Sequence, residues 1–234
     1  MVNKKNIVII QARLGSSRLE NKIFLKFGNE TSLSFLIKRI SKSKLVDEIV
    51  VAIPKNKKNL ELKNYIKKKG YKFFEGKEND VLNRYYNAAR KFKAKNIIRI
   101  TADCPLHDAN LLDDSIKIFN KKNIDFLSNY NPPTFPDGFD LSIMTFDLLK
   151  KTNKLAKSSY DREHVVPYIL KSKKFKKFNI KSKIDLSKLR LTLDEQKDYE
   201  LITKVIENLK KNFRYPDIAK LYKNNKNIFN LNKD

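Results

Sequence analysis

Asn-Ile-Val-Ile-Ile-Gln at residues 6–11, followed at once by Ala-Arg-Leu-Gly-Ser-Ser-Arg-Leu-Glu-Asn-Lys at 12–22, decides how the chain reads. Four consecutive apolar, mostly β-branched residues without polar alternation suit a strand buried on both faces, the habit of parallel sheets. The polar loop holding Gly15 ends that strand. Leu33, Leu36, Ile37 and Ile40 then recur at helical spacing behind Thr31 or Ser32 as N-cap. The unit repeats outward. Residues 48–53 form a second buried strand stopped by Pro54, and a lysine-rich helix ends at Gly70. The strand 71–75 comes next, and Asp80 caps a helix carrying Val81, Leu82, Tyr85, Ala88, Ala89 and Phe92 on one face. Residues 96–101 are a fourth strand, and Asp108 caps a helix with Leu111, Leu112, Ile116 and Phe119 inward. Strands alternating with helices predict an α/β protein: a mostly parallel, Rossmann-like sheet with helices on both faces. The rhythm changes after residues 125–129. Residues 130–140, with three prolines and a glycine, read as a loop, and 141–190 as a small α+β insertion. Leu189–Leu193 reads as a returning strand, and Tyr199, Ile202, Ile206 and Leu209 mark a C-terminal helix. One elaborated domain over 1–234 is expected, with no internal repeat.

The charge points elsewhere at first. The 234 residues carry 51 Lys+Arg against 26 Asp+Glu, a formal net charge of +25, which invites a basic RNA- or DNA-binding reading. Only 9 of these cations are arginines, however, and the 42 lysines are spread over surfaces that otherwise read as helix exteriors. The contiguous run Lys173-Lys174-Phe175-Lys176-Lys177 is short. A solvated lysine-rich surface is the stronger reading, with no nucleic acid expected. The single Cys104 rules out an intramolecular disulfide framework and reads as a small core residue. Residues 7–10 are too short for a signal or membrane segment, so a soluble, cytoplasmic protein without membrane partners is expected.

In open parallel sheets ligands collect at the carboxyl ends of strands, and three polar clusters lie at such ends. The loop after the first strand has neither Gly-rich phosphate fingerprint. It offers a small turn, Gly15, Ser16 and Ser17, whose N–H groups suit an anion, flanked by Arg13, Arg18 and Lys22. Two of nine arginines in one short loop weigh against a casual basic surface. Thr101-Ala102-Asp103-Cys104-Pro105 follows the fourth strand and places a carboxylate where Mg²⁺ is held by one or two acidic groups and phosphate oxygens. Asp194 ends Leu191-Thr192-Leu193-Asp194; alone it reads as a helix N-cap.

Together these stretches resemble the acylneuraminate and 3-deoxy-manno-octulosonate cytidylyltransferase family, closest to its spore-coat-polysaccharide branch. The likeness runs through QARLGSSRLENK (11–22), DVLNRY (80–85), RITADCPL (99–106), PDGFD (136–140), REHVVPY (162–168) and LRLTLD (189–194). Glu20-Asn21 replaces the branch's usual Pro-Gly, and Asn21 is a residue that tolerates the left-handed backbone such a turn uses. The resemblance implies a nucleotide-diphospho-sugar transferase type of fold and a Mg²⁺-dependent transfer of CMP from CTP. The acceptor would be a sugar acid or a sugar or polyol phosphate, with release of pyrophosphate, for surface polysaccharide or glycan synthesis. It casts Arg13, Arg18 and Lys22 as catalytic cations and Asp103 and Asp194 as metal ligands. Gln11, Ala12, Gly15, Ser16, Ser17, Asp80 and Arg84 are implied on the nucleotide. Asp137, Asp140, Arg162, Glu163 and His164 are implied on the acceptor. Asp137-Gly138 also reads as a plain turn pair, Arg162-Glu163 as a surface ion pair, and His164 as either a general base or a structural histidine. A homodimer with residues 130–180 in the contact is likewise implied. Two other readings stand beside it: a nucleotide-sugar-dependent glycosyltransferase on the same fold, and the nucleic-acid-binding protein already weighed.

Overall fold

A computed structural model describes residues 5–232. The strand β1 (Asn6–Gln11) lies in the interior of a seven-stranded sheet, with Ile7, Val8, Ile9 and Ile10 all fully buried. In chain order there follow β2 (Lys26–Phe27), β3 (Glu30–Thr31), α1 (Ser32–Ile40), β4 (Glu48–Pro54), α2 (Leu60–Lys68), β5 (Lys72–Gly76), α3 (Val81–Lys91) and β6 (Asn96–Thr101). The second half holds α4 (Ala109–Lys122), β7 (Phe126–Ser128), β8 (Ser142–Thr145), α5 (Phe146–Leu155), α6 (Ser159–His164), α7 (Pro167–Lys171), β9 (Lys177–Asn179), α8 (Gln196–Glu207) and α9 (Tyr215–Asn224). The sheet order is β5-β4-β1-β6-β8-β7-β9. β1 pairs in parallel with β4 and β6, while β8 runs antiparallel to both β6 and β7. A single reversed strand therefore sits in an otherwise parallel sheet.

Because β1 has no polar face, each side of it must be covered. Val8 and Ile10 pack into a core with Leu33, Leu36 and Ile40 of α1, Leu112 and Ile116 of α4, and Leu201 and Ile202 of α8. Ile7 and Ile9 pack on the other side with Leu82, Tyr85 and Ala89 of α3 and Leu148 and Leu149 of α5. Full burial of one such aliphatic side chain is worth about 1.5–3 kcal/mol. The helix starts follow their caps: Thr31 accepts from the Ser34 N–H, Asp80 from Asn83 and Asp108 from Asn110. Among the described residues no helix is long and apolar enough to cross a membrane.

Three points differ from the reading of the sequence. The segment 189–193 is not a strand. It touches the sheet region through one parallel bridge, Asp137 with Arg190, and otherwise runs as irregular chain. Its backbone groups are spent elsewhere: the Leu191 N–H donates to Asp137 O at 2.7 Å and the Leu193 N–H to Asp103 O at 2.8 Å. Gly138 permits this close approach. It has φ +103°, and a Cβ there would stand 2.5 Å from the Leu191 carbonyl. Second, the 141–190 segment expected as an α+β insertion supplies β8 and β9 to the main sheet itself. Third, the hairpin β2–β3 and the helix α9 lie in stretches whose short or lysine-interrupted patterns carried no periodic signal.

Candidate active site

The carboxyl ends of β1 and β6 open onto a cavity of about 400 Å³ lined by Gln11, Ala12, Arg13, Gly15, Ser16, Ser17, Arg18, Lys22, Thr101, Asp103, His164 and Asp194. All three polar clusters singled out in the sequence meet here. The loop after β1 is held at both ends. Leu14 is buried in the core, and its N–H donates to Asn59 Oδ1 at 2.8 Å; Asn59 itself is buried and tied to Asn56. Between these anchors Gly15 takes φ +98°, leaving Arg13, Ser17 and Arg18 exposed at the cavity rim. Asn21 adopts the left-handed conformation, φ 52°, and starts a short 3₁₀ turn over Lys22–Phe24 that aims Lys22 inward. The turn thus survives without the Pro-Gly pair. The Gln11 carbonyl oxygen Oε1 is buried at the cavity without a hydrogen-bond partner.

Lys22 is the centre of the site. Its Nζ donates to Asp103 Oδ2 at 3.0 Å and to Asp194 Oδ1 at 2.7 Å. Arg18 Nη2 donates to Asp194 Oδ2 at 2.8 Å. Burial alone would lower the Lys22 pKa, but the charges of Asp103 and Asp194 and its hydrogen bonds to them raise it above 10.5. Burial alone would raise that of Asp103; the Lys22 charge and hydrogen bonds from Thr101 and Lys22 hold it below the usual carboxylate range. The two carboxylates keep 26% and 20% of their side-chain area accessible, so both still face the cavity. One cation already bridges them. That is the donor set Mg²⁺ takes from protein, two carboxylates with water and phosphate oxygens completing the shell, and the residues fit the ion. Among the described residues no group of three or more His, Cys, Asp or Glu side chains gathers to suit a fully protein-ligated metal.

Asp194 is not a helix cap. The buried carboxylate of Asp198, in the first turn of α8, accepts from the Asp194 N–H at 3.1 Å and the Glu195 N–H at 2.9 Å. Its other oxygen takes Arg190 Nε at 2.8 Å and Asn232 Nδ2 at 2.7 Å. Asp198 caps the helix and fixes the turn, leaving the Asp194 side chain free to face the cleft. Sequence reading missed both Asp198 and Asn59. An acidic residue three positions past Glu195 is the signal that could have found the first.

The remaining residues fall in different places. His164, at the end of α6, lines the main cavity and also a second one of about 420 Å³, with Asp140 at the far side of the latter. Val165 behind it has φ 71°, ψ −51°, and the Val166 N–H donates to His164 O at 2.8 Å. This is a strained γ-turn on a buried β-branched residue, and it fixes where the α6 end points. Asp137 accepts from Thr192 Oγ1 at 2.7 Å and joins the 189–193 segment to its loop. Glu163 is exposed. Asp80 and Arg162 lie away from both cavities and pair with each other, Nη2 to Oδ2 at 2.7 Å. Arg162 also donates to the carbonyls of Asn153 and Ala156 and to Asn153 Oδ1, clasping α5 to the start of α3. Arg84 is buried against Gly76 and donates to Lys77 O at 2.6 Å, under the loop rather than in the cavity.

Two measurements follow from these placements. Arg162→Ala removes one partner of a half-buried pair, so about 1–3 kcal/mol of stability is expected to be lost in urea unfolding; an unchanged midpoint would show the clasp to be idle. Burial first, then the charge of Asp137, pushes the Asp140 carboxyl up to about 6, against the pull of Arg99. Between the ordinary 3.8 and about 6 the native state therefore holds a proton that the unfolded chain has released, and stability falls as pH rises through that window. Asp140→Asn removes this loss. Its Tm advantage over the wild type is expected to be larger at about pH 7.5 than at about pH 4, and an advantage independent of pH would contradict the assignment.

The sequence model of a family described as cytidylyltransferase matches residues 7–230. The chain is 40% identical over 200 residues to the Methanocaldococcus jannaschii protein MJ1063, covering 84% of this chain and 81% of that one. It is 29% identical over 204 residues to the spore coat polysaccharide biosynthesis protein SpsF of Bacillus subtilis, covering 84% of each. The structure of a cytidylyltransferase from Leptospira borgpetersenii superposes with a TM-score of 0.92 at 37% identity, over 99% of both chains. CMP:2-keto-3-deoxy-manno-octonic acid synthetase complexed with CTP shares the fold, with a TM-score of 0.65 at 13% identity, over 87% of this chain and 99% of that one.

Proposed function

The chain belongs to the cytidylyltransferase family, and from that premise we propose that it transfers CMP from CTP to a sugar acid or a sugar or polyol phosphate. The transfer serves surface polysaccharide or glycan synthesis and uses Mg²⁺. An oxygen of the acceptor attacks the α-phosphorus, the bond from that phosphorus to the α,β-bridging oxygen breaks, and pyrophosphate leaves. Arg13, Arg18 and the turn at Gly15–Ser17 hold the triphosphate, with Ser16 offering a hydroxyl and Gln11 an amide oxygen beside the base or sugar. Lys22 neutralises charge that builds on the phosphates. Asp103 and Asp194 hold the metal ion, which when bound screens the phosphate oxygens and polarises the reacting phosphorus. His164 stands at the junction of the two cavities, where acceptor and nucleotide meet. Such catalysis rests on positioning and preorganised charge, and the pair of carboxylates sharing one lysine across the ends of β1 and β6 is the observation that carries the reading.

Thermal unfolding with CTP, UTP, ATP or GTP, each with Mg²⁺, tests it. At a hundredfold excess over Kd, CTP alone is expected to raise Tm by about 5–10 °C, and CTP with a sugar acid to release pyrophosphate. A shift with no nucleotide would overturn the reading. A shift with every nucleotide would leave the transfer but not the base.

A further inference from the structure

The second cavity contains a charge that the reaction as derived so far does not use. Arg99 sits inside β6, in register with Ile9 of β1 and Ser142 of β8. Its side chain shares a sheet face with Ile97, which is fully buried, where the strand pattern calls for another apolar residue. Among the described residues no ion pair involves Arg99, and its Nε is buried without a hydrogen-bond partner. The guanidinium carbon stands 5.9 Å from the Tyr85 ring centre, at the outer limit of a cation–π contact. Asp140 lines the same cavity and feels the Arg99 charge, but it forms no ion pair with it, so a half-buried arginine in the middle of the sheet is left poorly compensated. A planar donor fork of this kind matches carboxylate and phosphate oxygens.

The surroundings define what would fill the place. The cavity of about 420 Å³ is lined by Arg99, Tyr130, Asp140, Tyr160, His164 and Lys171. Two of these residues, Arg99 and Lys171, are cations. Tyr160, 56% exposed, lies against His164 with ring centres 4.5 Å apart and planes tilted by 49°, and offers an aromatic wall. Asp140 is an acceptor for hydroxyl groups. Because His164 lines both cavities, a molecule seated on Arg99 lies next to whatever occupies the phosphate loop. We propose that Arg99 recognises the anionic group of the acceptor, a carboxylate or phosphate carried on a polyhydroxylated skeleton whose hydroxyls meet Asp140. The word acceptor rests on the nucleotidyl-transfer reading; the anion site does not.

Two measurements test this. Arg99→Met, without any ligand, is expected to raise Tm by about 3 °C or more, since it removes an unpaired charge from the sheet; a purely structural arginine would show a fall. Binding is then read by saturation-transfer NMR on protein saturated with the α,β-methylene analogue of CTP, so that the phosphate loop is filled. The probes are D-gluconate, D-glucitol 6-phosphate and neutral D-glucitol, which share one skeleton and separate a carboxylate from a phosphate. At least one anionic probe is expected to bind and D-glucitol not. Arg99→Gln is expected to weaken that probe about thirtyfold, Arg99→Lys to recover part of it, and the affinity for the analogue to stay within twofold. A lower Tm in Arg99→Met, equal binding of the anion by wild type and Arg99→Gln, or no binding of either anion to the wild type would overturn the inference. If the analogue itself fails to bind, the nucleotide reading fails alone, and the ligand-free Tm comparison still decides the role of Arg99.

Discussion

Asp103→Asn is expected to reduce pyrophosphate release by about a thousandfold or more, the scale at which removing a preorganised charge from a reacting phosphate is felt. The substitution keeps the shape of the side chain and its contact with Thr101 but deletes the charge that Lys22 meets and that the proposed metal ion would meet. It also leaves a signature apart from rate. Asp103 has a depressed pKa in the fold, so its stabilising contribution is complete above the unfolded carboxylate value and is lost as pH falls through the folded one. The variant is therefore expected to lose less stability than the wild type on acidification in that window. Turnover above a tenth of wild type would overturn the proposed role of Asp103 as a metal ligand.

Lys22→Met is expected to lower turnover by about a hundred- to a thousandfold through loss of the cation that meets the phosphates. Without the shared ammonium group, Asp103 and Asp194 face each other across the cleft, so their repulsion rises and the variant is expected to unfold more readily near neutral pH. Lys22 has a raised pKa, so the stability it brings is present below 10.5 and disappears as pH climbs through its folded value. The base-side Tm curves of variant and wild type should then converge. Because Lys22 and Asp103 touch, the double variant is expected to lose much less than the product of the single losses. Full multiplicativity in pyrophosphate release would mean that the two act separately.

The parts legible in the sequence were those carried by local patterning. The uninterrupted apolar run at 7–10 declared a strand buried on both faces, and the polar loop after it pointed to the end of the sheet where the cavity opens. Asp103 followed from its position at the end of β6. What stayed illegible depended on contacts across the fold. The cap that Asp80 places on α3 could be read from the sequence, but nothing near it says that its other oxygen takes Arg162, 82 residues away. The resemblance implies Asp80 on the nucleotide and Arg162 on the acceptor, and the structure pairs the two side chains with each other. Leu189–Leu193 alternates like a strand, but its N–H groups go to Asp137 and Asp103, and only Gly138 allows the approach. Arg99 hid in plain view as one polar residue in an apolar strand, because solvent-facing and cavity-facing positions look alike from one dimension.

The lysine bridge has a consequence for the order in which the molecule becomes competent. Lys22 and Asp194 are 172 residues apart in sequence, and Asp194 is held by Asp198, which itself needs Asn232. Nearby contacts form first in folding, and loops of that length close late because their chain entropy must be overcome. The loop after β1 and the strands β1–β6 leave the ribosome well before the second carboxylate does. A nascent chain thus has the turn after β1 before it has Asp194, and the lysine bridge waits for α8 and Asn232 to dock.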